Sequence, residues 1–201
     1  MRTLFAPGCA LCNYKPHLVS EVFNYLQTRK IVTDLYTPCC KSDEIIDMDT
    51  TMINCCPGCS HYFETRYSNV RAVSLWKTLL STDFPFPDYQ GEEMTIHDAC
   101  HARHRNSAEM QESARLLCKR MNITLIEPGN TRDEARCCGG CATGYETRRE
   151  MAIKRTEDFP KENVVVYCTG CVRSFSLTQI HPRHLLDLLF QETTEGLTVK
   201  P

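Results

Sequence analysis

Two hydrophobic rhythms run along this chain, and they recur in the same order in each half. Residues 2–6 are a short apolar run stopped by Pro7 and Gly8, the pattern of a strand entering a turn. Beyond Pro16 the apolar positions Leu18, Val19, Val22, Phe23 and Leu26 fall three and four apart. That spacing predicts an amphipathic helix over 16–30, with Pro16 suited to its first turn. Residues 31–36 predict a second strand, and the polar run 41–50 a loop or one helical turn. A third strand is expected over 51–55, then a helix over 60–66, a strand over 70–73 and a helix over 75–80 carrying Trp76.

Residues 84–91 are rich in Pro and Gly and read as a linker. The order then repeats. A strand over 94–97 precedes a helix over 107–121, with Met110, Ala114, Leu117, Cys118 and Met121 on one face. A strand over 123–127 and a mostly polar helix over 146–156 follow. Three consecutive valines within 163–167 predict a strand buried on both faces. A helix from residue 172 and a last one over 184–190 precede a polar tail. This alternation predicts an α/β fold of two tandem pseudo-symmetric modules, with mainly parallel short sheets flanked by helices. The expected boundaries are 1–83 and 93–201, joined by a linker at 84–92.

Composition narrows the class. With 201 residues and 42% apolar content, the chain can bury a real core. Its net charge of −2 supplies no basic excess to drive binding to nucleic acid or a membrane surface. No apolar run reaches bilayer-spanning length, so work at a membrane would depend on another subunit. The 14 cysteines alter the picture more. A secreted disulfide framework would call for a signal peptide, and the first residues show no adequate apolar segment. A cytoplasmic metal or redox protein is the expectation.

Ten of those thiols form two sets with one internal order: a lone cysteine, an adjacent pair, then CxxC. The first set is Cys9, Cys39, Cys40, Cys56 and Cys59; the second is Cys100, Cys137, Cys138, Cys168 and Cys171. The lone-to-pair gap is 29 residues in the first half and 36 in the second; the pair-to-CxxC gap is 15 against 29. The first half therefore lacks room for the helix that fills 146–156. CxxC alone serves zinc, disulfide exchange and clusters alike. The adjacent pair discriminates better, because two neighbouring sulfurs fit one tetrahedral zinc awkwardly and five thiolates exceed its four positions. A multi-iron cluster offers several metal atoms to neighbouring thiolates. Iron–sulfur sites are the favoured reading, with zinc and disulfides as the alternatives.

This order, twice in one chain, resembles the cysteine-rich CCG domain found in the catalytic subunit of heterodisulfide reductase and its relatives. The segments that carry the resemblance are Asp98-Ala99-Cys100-His101, Cys137-Cys138-Gly139-Gly140, Cys168-Thr169-Gly170-Cys171 and His184-Leu185-Leu186, and the second half is the closer match. The resemblance implies a non-cubane 4Fe–4S cluster on each five-cysteine set, two in all, facing one cavity where a disulfide is split. It implies a small-molecule disulfide substrate and electrons from a ferredoxin-like iron–sulfur subunit, a flavoprotein subunit, or both. Related modules in other oxidoreductase complexes imply the alternative of an electron-transfer subunit without disulfide chemistry. A structural zinc protein or adaptor is a third reading.

His97, His101 and His104 surround Cys100; a solvated or core-satisfied histidine is the default for each, and His101, its neighbour, is the candidate proton donor to a departing thiolate. Arg103, Arg105, Arg132 and Arg136 flank the second set, and Lys15 and Lys41 the first, where they could offset cluster charge or hold an acidic substrate, with solvated surface charge as the default for each. Cys12, Cys55, Cys118 and Cys141 are left over, with bystander roles as the default and Cys12 and Cys141 as alternative ligands.

Overall fold

A computed structural model describes residues 2–39, 42–103 and 107–196. The chain divides into two compact units, 1–83 and 84–201. Each holds a four-stranded parallel sheet flanked by helices, the predicted α/β class.

In the first unit β1 (Arg2–Ala6) leads through α1 (Cys9–Tyr14) and α2 (Pro16–Thr28) to β2 (Asp34–Leu35). Then come β3 (Thr50–Asn54), α3 (Pro57–Arg66), β4 (Val70–Ser74) and α4 (Leu75–Leu80). The sheet order is β2-β1-β3-β4, with Phe5 opposite both Leu35 and Ile53, and Asn54 opposite Ser74. Of the predicted stripe on α2, Leu18, Val19, Val22 and Leu26 are buried, and Phe23 is half-buried at its edge. Residues 42–49 carry no helix, in keeping with the short pair-to-CxxC gap.

The second unit repeats the plan. It runs β5 (Glu93–Ile96), a 3-10 turn at Cys100–Arg103, α5 (Ser107–Arg120) and β6 (Thr124–Leu125). After a second 3-10 turn at Arg132–Glu134 come α6 (Tyr145–Thr156), β7 (Asn163–Val166), α7 (Thr169–Phe175), β8 (His181–His184) and α8 (Leu185–Leu189). The sheet order is β6-β5-β7-β8, the same as in the first unit. Val164, Val165 and Val166 are fully buried, as a strand covered on both faces requires.

The last strand of each sheet passes straight into a short helix capped from the strand's final residue. Ser74 Oγ accepts from Trp76 N, and His184 Nδ1 accepts from Leu186 N, each at 3.2 Å. The stretch 84–91 packs within the second unit: Tyr89 N donates to Met121 O, Tyr89 Oη to Leu188 O, and Phe84 meets Phe190 edge to face.

This topology positions the thiols. In each sheet the first strand lies between the second and third, so the chain changes direction at the centre. Ligands collect at the carboxyl ends of strands around such a switch point. Cys9, Cys39 and Cys56 follow β1, β2 and β3; Cys100, Cys137 and Cys168 follow β5, β6 and β7. Three adjacent strands thus deliver the described thiols of each set to one end of one sheet. Among the described residues, no helix is long and apolar enough to cross a membrane.

Candidate metal centre

The second set is drawn together without a gap. Cys100 Sγ lies 3.6 Å from Cys137 Sγ, and Cys138 Sγ lies 3.3 Å from Cys171 Sγ. Cys137 also hydrogen-bonds Cys138, and Cys171 hydrogen-bonds Cys168. The five sulfurs therefore form one continuous chain of contacts. Cys138 and Cys171, its middle links, are buried, while Cys100, Cys137 and Cys168 are half-buried. Every described cysteine is a free thiol.

Protons are unequally held along this chain. The hydrogen bond shared with Cys100, then that with Cys138, pulls the Cys137 thiol far below its ordinary range. The same bond to Cys137 pushes Cys100 up, and Cys138 rises to about 11, again chiefly through Cys137. Gly139 N donates to Cys137 Sγ at 3.3 Å, which also favours a thiolate there.

Bare backbone lines the sulfurs. A Cβ on Gly140 would sit 3.0 Å from Gly170 O and 3.4 Å from Cys138 Sγ. Gly139 has φ +81°, and a Cβ there would sit 2.9 Å from both Arg148 O and Met151 Cβ. Gly139→Ala combines left-handed strain with a backbone clash, at a cost of about 1–3 kcal/mol. Urea denaturation should show it well below wild type. Gly144→Ala, at φ +91° in open space, should lose less.

The loop before Cys100 is fixed by a buried ionic network. Asp98 accepts both Arg115 Nη atoms, at 3.0 and 2.8 Å, the Arg132 backbone N–H at 2.7 Å and Tyr167 Oη at 2.9 Å. Arg115 also pairs with Glu127, at 2.6 and 2.8 Å. Burial by itself would raise Asp98, but donation from Arg115 and its charge, followed by Arg132 N and Tyr167, holds it below the usual carboxylate value. The network thereby ties the Cys100 turn to the segment that leads into Cys137.

The histidines separate into different roles. His97 is buried, its Nδ1 accepts from Arg155 Nε at 3.1 Å, and burial, with Arg155 next, holds its pKa down at about 3. A His97 ring nitrogen and the sulfurs of Cys138 and Cys171 all lie within 4.8 Å of one another. His101 is half-buried, with Nδ1 3.6 Å from Cys100 Sγ and 3.9 Å from Cys141 Sγ. Cys100, His101 and Cys141 form a second such group. Arg103 and Arg136 are exposed, and Arg132 pairs with Glu112 at 3.1 Å. His104 and Arg105 lie outside the described residues.

In the first unit Cys9 Sγ is 3.7 Å from Cys39 Sγ. Gly8, at φ +90°, approaches so closely that a Cβ would sit 3.2 Å from Cys59 Sγ. Cys59 is buried beside Phe63 and Met52, and Cys56 caps the start of α3. Cys40 and Lys41 lie outside the described residues. Cys55 is buried, its thiol pushed well up by burial and then by Cys56 and Cys12. Cys118 is buried on the apolar face of α5, where it packs as a small hydrophobe. Lys15 is buried, with Nζ 5.5 Å from the Tyr14 ring centroid, so it is not a solvated surface charge.

Residues 94–176 match the family model of the CCG cysteine-rich domain. The matched segment holds all five thiols of the second set and lies within the second unit. A search of curated proteins finds no match to the chain. The CCG domain is found in iron–sulfur oxidoreductases, so the match and the cysteine groups together point to iron–sulfur binding and redox activity. The donors fit such a group. All five are thiols, they outnumber the four positions of tetrahedral zinc, and glycine backbone leaves room beside them.

Sequence reasoning passed over Arg155 and, among the partners of Asp98, Arg115 and Tyr167. Arg155 lies on a helix that reads as solvated, yet it is fully buried. Ala152, three positions earlier and also buried, was the available signal that this face turns inward.

Proposed function

We propose that the chain is an iron–sulfur redox protein that resembles the catalytic subunit of heterodisulfide reductase and reduces a small-molecule disulfide. Cys100, Cys137, Cys138, Cys168 and Cys171 would hold one non-cubane 4Fe–4S cluster, and Cys9, Cys39, Cys40, Cys56 and Cys59 a second. The observation that carries this reading is the unbroken contact chain of five sulfurs at the carboxyl ends of β5, β6 and β7.

When bound, such a group supplies one-electron redox chemistry. The protein's residues do the rest. The five thiolates would hold the group, Cys138 and Cys171 from the buried interior and Cys100 from nearer solvent. His101 stands on that more open side and can hold a proton at Nδ1, 3.6 Å from Cys100 Sγ, for a thiolate leaving a cleaved disulfide. Arg103, exposed on the same turn, can attract an acidic substrate. Full reduction consumes two electrons and two protons, with the electrons drawn from a ferredoxin-like or flavoprotein partner.

The burial of Cys138 and Cys171 also supports a second reading, an electron-transfer subunit of a larger oxidoreductase complex with no disulfide chemistry. Turnover separates the two. Anaerobic protein given reduced methyl viologen and glutathione disulfide should release thiols. His101→Gln should slow that release about 100-fold or more with iron content unchanged. Reversible reduction without thiol release would favour the relay.

A further inference from the structure

Proton inventory at His97 leaves one donor unused. Arg155 Nε–H donates to Nδ1 at 3.1 Å, and an arginine nitrogen cannot accept. Nδ1 is therefore the bare nitrogen, and the ring proton sits on Nε2. Nε2 is buried and has no hydrogen-bond partner among the described residues. A buried donor left unmatched carries a desolvation penalty, so its partner is a group that belongs in the site. The sulfurs of Cys138 and Cys171 share a 4.8 Å neighbourhood with this ring.

The ring is also held still. Phe175 packs edge-on with centroids 4.9 Å apart, and Phe159 lies at 6.2 Å. Arg155 is itself fixed by Asp158, by donation to Asn130 O at 2.8 Å, and by stacking 4.4 Å from the Phe159 ring. An exposed histidine would exchange tautomers freely; this one has its tautomer selected by a fully buried guanidinium.

We propose that, when the second site is filled, His97 donates its Nε2–H to a ligand sulfur there, Cys138 or Cys171, and that Arg155 sets the tautomer that makes this possible. His97 is a positioning residue with an electronic role: a donor to ligand sulfur stabilises the extra negative charge of the reduced centre and raises its potential. The proposal rests on the iron–sulfur reading of that site.

Three measurements test it. In long-range 1H–15N spectra of the full chain, His97 should appear as the Nε2–H tautomer; the Nδ1–H tautomer or a doubly protonated ring would overturn the proposal. Anaerobic His97→Phe should keep wild-type iron and sulfide but shift the midpoint potential negative in EPR-monitored titration. His97→Gln, which keeps a donor, should restore most of that shift. An unshifted His97→Phe, or equal shifts in both variants, would refute the role. Absence of iron from wild-type protein would instead refute the iron–sulfur reading, a separate outcome.

Discussion

Cys138→Ser is expected to remove about half of the iron from anaerobically prepared protein while the fold survives. Cys138 is the inner link of the second set, in contact with Cys137 on one side and 3.3 Å from Cys171 on the other. It is 2% exposed, so no water can replace the lost thiolate cheaply. Serine is nearly isosteric, and the surrounding strand ends are held by β5, β6 and β7, so circular dichroism should stay unchanged. Cys118→Ser and Cys141→Ser are the controls. The first alters a thiol buried in α5 and the second an exposed one, and both should keep full iron. Unchanged iron in Cys138→Ser would remove this residue from the ligand set.

Asp98→Ala is expected to destabilise the protein by about 3–5 kcal/mol, because it removes the fully buried partner of Arg115 and leaves only the part-exposed Glu127 to compensate that charge. The Asp98 side chain is fully buried and that of Arg115 is 9% exposed. Two further donors, Arg132 N and Tyr167 Oη, lose the same acceptor. Adding Arg115→Met should recover part of the loss, since one defect is shared. The effect depends on pH with a definite sign. Asp98 has a depressed native pKa, so its contribution is complete above the unfolded value of about 3.9 and fades as pH falls through the native value. Urea denaturation at pH 7 should show the full gap between wild type and variant. The gap should narrow below about pH 4.

Much of this was legible because it is encoded locally. Adjacent thiols, CxxC and the glycines after Cys138 fix their own short-range geometry, and strands such as 163–167 announce themselves by three buried valines. Other features depend on tertiary partners. β8 reads His181-Pro182-Arg183-His184, with no apolar alternation, and it is a strand because it pairs with β7 alone at the sheet edge, where proline is tolerated. The predicted helix over 184–190 consequently begins one residue late, with His184 serving as its cap. α1 is too short for periodicity to reveal. The strand expected over 31–36 contracts to Asp34–Leu35, because Ile31 N still bonds Leu26 O at the end of the preceding helix. The pairing of His97 with Arg155 spans 58 positions, and no local signal could have announced it.

The central claim is that the gathered thiols surround an iron–sulfur core. Anaerobic purification, with iron and acid-labile sulfide counted per chain and EPR of the reduced protein, tests it most directly. About eight irons with matching sulfide are expected from two filled 4Fe–4S sites, and about four from the second site alone. Stoichiometric zinc without iron or sulfide would contradict the account.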